Sequence, residues 1–134
     1  MEITEYSRVH FNRGLANWKV PKDYADTVGN YFLYGFSPGS FFTAVLANDM
    51  ASAMSCSHPN NSVISLKNLF GWLWSTGTYN LAWGNYGAVE GWLSMDDATR
   101  RTALESKRLV YTESQEILMA LNGDDTGTPV FFMS

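Results

Sequence analysis

Between Phe41 and Met54 the apolar residues Phe41, Phe42, Val45, Leu46, Met50, Ala53 and Met54 recur at helical spacing, and Ser37-Pro38 stands just ahead of them. Ser is a favoured N-cap, and Pro suits the first helical position, where its missing N–H costs nothing. A chain with such a stripe has to bury one side of a helix, which sets the class of fold before any other segment is read. The spacing predicts one helix from about Pro38 to Ser55. Asp49 falls on its apolar stripe, four residues after Val45 and three after Leu46. A carboxylate there must be paired, hydrogen-bonded or protonated, since burying it bare costs several kcal/mol. Asn48 and Asp49 are therefore a candidate polar site. The plainer alternative has Asp49 accepting bonds from a neighbouring helix N-terminus or a Trp N–H.

The other elements follow from similar signals. Residues 1 to 19 read as irregular, with Tyr6, Val9 and Phe11 suggesting a short strand between Ile3 and Phe11. Pro21 opens a helix with Tyr24, Val28, Tyr31 and Phe32 on one face, and Gly35 fits the left-handed position that ends it. Ser57 to Asn61 is a turn. A further helix, about Ser62 to Ser75, carries Val63, Leu66, Leu69, Phe70 and Leu73 inward. Thr76 to Gly87 is a loop of Gly, Asn, Trp and Tyr, and a short helix near Tyr86 to Leu93 follows. Ser94-Met95-Asp96-Asp97 places two carboxylates in the first turn of a long helix, Met95 to Leu121, ended by Asn122-Gly123. Its first half is polar, with an Arg101–Glu105 pair at i,i+4. Its second half is apolar, so it is expected to project and then dock on the core or on a second copy. The apolar tail, Thr128 to Ser134, is expected to be ordered, with two arrangements open: pairing with the N-terminal strand, or entering a groove on a partner chain. The expected fold is mainly α: one domain over residues 1–134, a bundle of about five helices, with a small two-stranded β element from the termini.

Charge and cysteine content narrow the function classes. Charged residues make up 16 % of the chain against a usual ~25 %, while aromatic residues reach 15 % and include five Trp. A surface short of charge and rich in Trp and Tyr favours a protein partner or self-association as a homo-oligomer. The net charge of −4, with Lys and Arg scattered, argues against nucleic acid. The single cysteine, Cys56, permits no internal disulfide. The absence of a signal-peptide pattern and of an apolar run of ~20 residues sets the expectation of a cytoplasmic protein with no membrane contact.

No catalytic or metal pattern stands out, and neither an enzyme nor a cofactor is expected. Two His and one Cys are too few for a structural zinc site, and Cys56 and His58 are poorly spaced to chelate. A Cys–His nucleophile from Cys56, His10 and His58 competes with a buried structural thiol, which the apolar stripe before Cys56 favours. The aromatic run Trp72, Trp74, Tyr79, Trp83, Tyr86 and Trp92 is the stronger lead. Trp72 and Trp74, two apart on one helix, cannot face the same core, so at least one stands at a surface or interface. Trp74, Tyr79, Trp83 and Tyr86 are the candidate anchors for a partner.

Pro21, Tyr31, Gly35, Pro38-Gly39-Ser40-Phe41, Ala44-Val45-Leu46, Asn48-Asp49 and Trp92-Leu93 form a pattern that resembles a family of small bacteriophage and prophage proteins. The resemblance covers residues 20–93; the Trp-rich loop and residues 94–134, the long helix and tail, depart from it. It implies an origin rather than a mechanism. The expectation is a non-enzymatic, phage-encoded accessory protein acting in the host cytoplasm, such as an inhibitor of a host defence system of the anti-CRISPR kind, that occupies the surface of a host protein. Two alternatives stand beside it. One is an oligomeric binder of a nucleotide signal using Arg100, Arg101 or Arg108; the other is a phage structural or assembly protein.

Overall fold

The computed structural model describes residues 3–56 and 63–122. Among the described residues the chain forms eight helices and no strand, with one isolated bridge. None of these helices is long and apolar enough to cross a membrane.

The N-terminal segment is a helix rather than a strand: α1 spans Glu5–Asn17, with Thr4 as its cap accepting from the Ser7 N–H. Its buried residues are Ser7, Phe11 and Leu15, a strict i,i+4 series that opens on a polar residue and so escapes an apolar count. α2 spans Lys22–Tyr34 and buries Tyr24, Val28, Tyr31, Phe32 and Leu33. It ends as expected at Gly35, left-handed at φ 71°, whose N–H returns to the Tyr31 carbonyl at 2.9 Å.

The helix expected over Pro38–Ser55 is two. α3 spans Gly39–Leu46 and α4 spans Met50–Cys56. Asn48 breaks the run at φ 64°, a conformation that Asn tolerates better than most residues. Asp49 then caps α4, its carboxylate accepting from the Ser52 N–H at 3.2 Å. α5 spans Val63–Thr76 and buries Leu66, Leu69, Trp72 and Leu73, while Val63 faces outward against expectation. α6 spans Tyr86–Ser94, capped by Asn85.

The long helix expected over Met95–Leu121 is also two. α7 spans Asp97–Ser106, with Asp96 as its cap, and α8 spans Glu113–Leu121, opened by a capping box of Thr112 and Gln115. The chain turns between them at Arg108, φ 60°. The two-stranded element from the termini is therefore not formed: its N-terminal half is α1, and the tail lies outside the described residues, as do the Ser57–Asn61 turn and His58.

Packing centres on Phe32. Its ring lies 5.1 Å from Trp72, 5.4 Å from Tyr31, 5.9 Å from Trp92 and 6.2 Å from Phe11, so α1, α2, α5 and α6 meet at one aromatic hub. The polar atoms that these rings bring inside are mostly satisfied. Trp92 Nε1 donates to the Tyr31 carbonyl at 3.0 Å, and the Tyr31 hydroxyl donates to the Ala82 carbonyl at 2.6 Å. Burial pushes the Tyr31 phenol far above its ordinary value, against a weaker lowering by Arg100, and so it stays a neutral donor.

A second centre is polar. Arg101, 2 % exposed, reaches Glu116, 4 % exposed, at 2.7 Å, Glu105 at 2.8 Å and the Tyr111 carbonyl at 3.1 Å. Ser7 donates to Glu116 and accepts from the Tyr111 N–H, which stitches α1, α7 and α8 together. Burial by itself would lower the Arg101 pKa. Bonds to Glu105 and Glu116, with their charges, outweigh it and raise the value above the ordinary guanidinium. Two arginines of the polar first half of the expected long helix are thus turned inward, whereas Ile117, Leu118 and Leu121 of α8 face out.

Candidate functional site

The loop between α5 and α6 builds an aromatic face. At its start the Thr76 hydroxyl donates to the Leu73 carbonyl and is itself 2.7 Å from the Thr78 hydroxyl, which must then donate to it. The Thr78 carbonyl accepts from the N–H groups of Leu81 and Ala82, both at 3.0 Å. Tyr79 and Trp83 form an isolated bridge, and the Asn80 N–H closes the turn on the Trp83 carbonyl at 2.7 Å. The Gly84 N–H fixes the loop to the Leu46 carbonyl of α3, also at 2.7 Å. Gly84 sits at φ 117°, and a Cβ there would stand 2.8 Å from the Tyr79 ring, so only glycine lets that ring lie down on the backbone.

The ring packing follows from this loop. Trp74 stacks on Tyr79 with centroids 5.0 Å apart and planes 20° apart, and both meet Trp83 edge-on at 5.0 and 5.2 Å. Trp74 is 61 % exposed, and Tyr79 and Tyr86 are exposed as well. Trp72, two residues before Trp74, is buried, as the helical geometry requires. Trp83 is only 1 % exposed and cannot touch a partner: it lies beneath Trp74 and Tyr79, with Phe70 on its other side at 6.0 Å. Its Nε1 is fully buried and has no hydrogen-bond partner among the described residues. Trp83 is the support of the face rather than one of its anchors.

Asn48 and Asp49 belong to the same neighbourhood. Asn48 is exposed in the break between α3 and α4. Asp49 is not on a buried stripe, because the break turns it out of α3. One carboxylate oxygen caps α4, and the other accepts from the Tyr86 hydroxyl at 2.6 Å. The Tyr86 bond first, then the bonds from Ser52, hold the Asp49 carboxyl below its ordinary value. Two candidate sites that are 37 positions apart in sequence are thus joined: Asp49 fixes the hydroxyl of one of the exposed aromatic residues.

Of the three arginines expected to be able to hold an anion, two are committed to the fold. Arg101 is in the buried network above. Arg100 donates to the carbonyls of Trp92 and Met95 at the end of α6, pairs with Asp97 at 2.7 Å, and lies over the Trp92 ring at 6.0 Å. It is a cation at a helix C-terminus, where the dipole favours one. Arg108 has no such ties among the described residues and lines an open cleft, of about 310 Å³, between α1, the end of α5 and the α7–α8 turn. The cleft could not be found while residues 1 to 19 were read as irregular. Once α1 is a helix, His10, Arg13, Gly14 and Asn17 fall at i, i+3, i+4 and i+7 on one face of it, and all four line the cleft.

Among the described residues no three His, Cys, Asp or Glu side chains gather as a metal site would need. The expectations for His58 and the Cys56 thiol lie outside the described side chains. Compared with protein-family models, with curated proteins and with solved structures, the chain has no match.

Proposed function

We propose that this chain is a non-enzymatic accessory protein of a bacteriophage that binds a host protein and inhibits a defence system in the anti-CRISPR manner, by covering a surface of its target. The observation that carries the reading is the ordered aromatic face of Trp74, Tyr79 and Tyr86. These rings are exposed, yet each is held: Trp74 and Tyr79 by each other and by Trp83, Tyr86 by Asp49. Trp and Tyr dominate the energetics of protein interfaces, and rings already fixed lose little entropy on docking. Trp74 and Tyr79 are the anchors in this reading. Tyr86 adds a hydroxyl already turned toward Asp49, and Trp83 sets the height of the face from below.

The test is retention of a host protein from a lysate of a phage-sensitive bacterium, followed by titration of the purified pair. A single partner should be held by the wild type and at least about tenfold more weakly by Trp74→Gln/Tyr79→Ser, which remove about 1.4 kcal/mol or more from the interface. Circular dichroism of the variant should be that of the wild type. Retention of nothing, or equal binding by both forms, overturns the reading. Light scattering on the free protein separates the competing outcome, a homo-oligomer closed through the same face, because the substitutions would then change its mass.

A further inference from the structure

The cleft that Arg108 lines has the makings of a second site, and it is built differently from the aromatic face. Among the described residues it is lined by Arg13, Lys107 and Arg108 and by no carboxylate, in a chain whose net charge is −4. Neither Lys107 nor Arg108 has an ion-pair partner among the described residues, whereas Arg8, Arg100 and Arg101 are all paired. One cation near the end of α5 would be accounted for by the helix dipole. Lys107 and Arg108 side by side at one hollow leave a positive field that an anion would neutralise.

The floor of the cleft adds a donor. Trp72 is 2 % exposed and lines the cleft, and its Nε1–H lies beside Gly14, where a Cβ would stand 3.5 Å from it. The side chain absent from Gly14 leaves that N–H open to whatever enters. The wall is aromatic: Trp18 is 44 % exposed, with one edge of its indole against Gly71 of α5. At the mouth, His10 Nε2 donates to the Arg108 carbonyl at 3.1 Å, so this nitrogen carries a proton, and it secures the left-handed turn at Arg108. A hollow of this size is at the small end of ligand pockets, which run from ~300 Å³ upward.

We propose that this cleft binds a small phosphate-bearing molecule with a flat ring, a mononucleotide being the class that fits. The phosphate lies among Arg13, Lys107 and Arg108, the ring rests against Trp18, and an acceptor on the ring takes the Trp72 N–H. Trp72 and Trp74 leave α5 on different faces, and this proposal stands apart from the aromatic face.

The experiment is a calorimetric titration of the full chain with AMP, and separately with adenosine and with inorganic phosphate. AMP should bind with a Kd below about 1 mM, at least about tenfold tighter than either half. Gly14→Ala is the decisive variant. Its methyl has room, and Ala is the better helix former, so its melting temperature should hold or rise while the methyl shields the Trp72 N–H and AMP binding falls about tenfold. Arg108→Asn keeps a residue that accepts the left-handed turn and removes the charge; it should weaken AMP and make the remaining affinity less sensitive to salt. No heat from AMP at about 5 mM overturns the proposal. So does phosphate binding as tightly as AMP, or AMP binding that Gly14→Ala and Arg108→Asn leave unchanged.

Discussion

Gly35 is in a left-handed conformation, and the Arg100 guanidinium lies where its Cβ would be, at 2.4 Å. Gly35→Ala should therefore cost more than the ~1–2 kcal/mol of the backbone conformation alone, about 2–4 kcal/mol in all, read as a lower urea midpoint with an unchanged slope. Asp49 gives a prediction with a sign. Its carboxyl is held below the ordinary value, so its bonds to Tyr86 and Ser52 stabilise the fold fully above the unfolded Asp pKa of ~3.9, and that contribution is lost as pH falls through the lower folded value. In a carboxyl NMR titration Asp49 should have a midpoint below that of an ordinary Asp, and Tyr86→Phe should move it upward; an unmoved midpoint would refute the Tyr86 bond. Gly35 was legible because Gly after an apolar helix has one common meaning. Asp49 was not, because the apolar spacing continues across the break. Asn48-Asp49 did carry the correct signal, a left-handed residue followed by an N-cap, but a longer apolar period masked it.

Helix breaks hide in the same way at larger scale. The α7–α8 junction has neither Gly nor Pro, and Arg108 takes the left-handed turn by itself. What the break achieves is seen only in three dimensions: it brings Glu116 back onto Arg101 and Ser7. No spacing rule links positions 7, 101 and 116, which is why a helix with two inward arginines read as a polar, projecting one. The i,i+4 pairing of Arg101 with Glu105, in contrast, was local and legible. Arg101→Met would leave Glu116 buried without its cation and should destabilise the fold by about 3–5 kcal/mol. Adding Glu116→Leu should recover most of that loss, because an apolar pair asks for no desolvated charge to be matched. Chemical denaturation of the two single variants and the double closes the cycle. Hydrogen exchange should show α8 opening first in Arg101→Met.

For the molecule as a whole, the sequence made its helical class plain, since apolar residues at helical spacing recur along most of the described chain, while the number of helices depended on breaks it did not announce. The five tryptophans give an experimental handle on that architecture. Trp72, Trp83 and Trp92 are buried, and Trp18 and Trp74 are exposed. Acrylamide should therefore quench two populations in the native protein. Trp18→Phe/Trp74→Phe should leave only blue-shifted emission that resists the quencher until the chain is unfolded. Emission from the double variant that is as accessible as that of the wild type would contradict the hub around Phe32.

The hydrogen bond between Ser7 and Glu116 joins residues 109 positions apart. Ribosomes add roughly 5–20 residues per second, so the first helix is synthesised about 5–20 seconds before the carboxylate that completes it. During that interval α1 can pack Phe11 and Leu15, but Ser7 keeps its water. The last polar lock of the fold waits for one of the latest of the described helices, and a chain cut short before Glu116 would have its aromatic hub and lack its clasp.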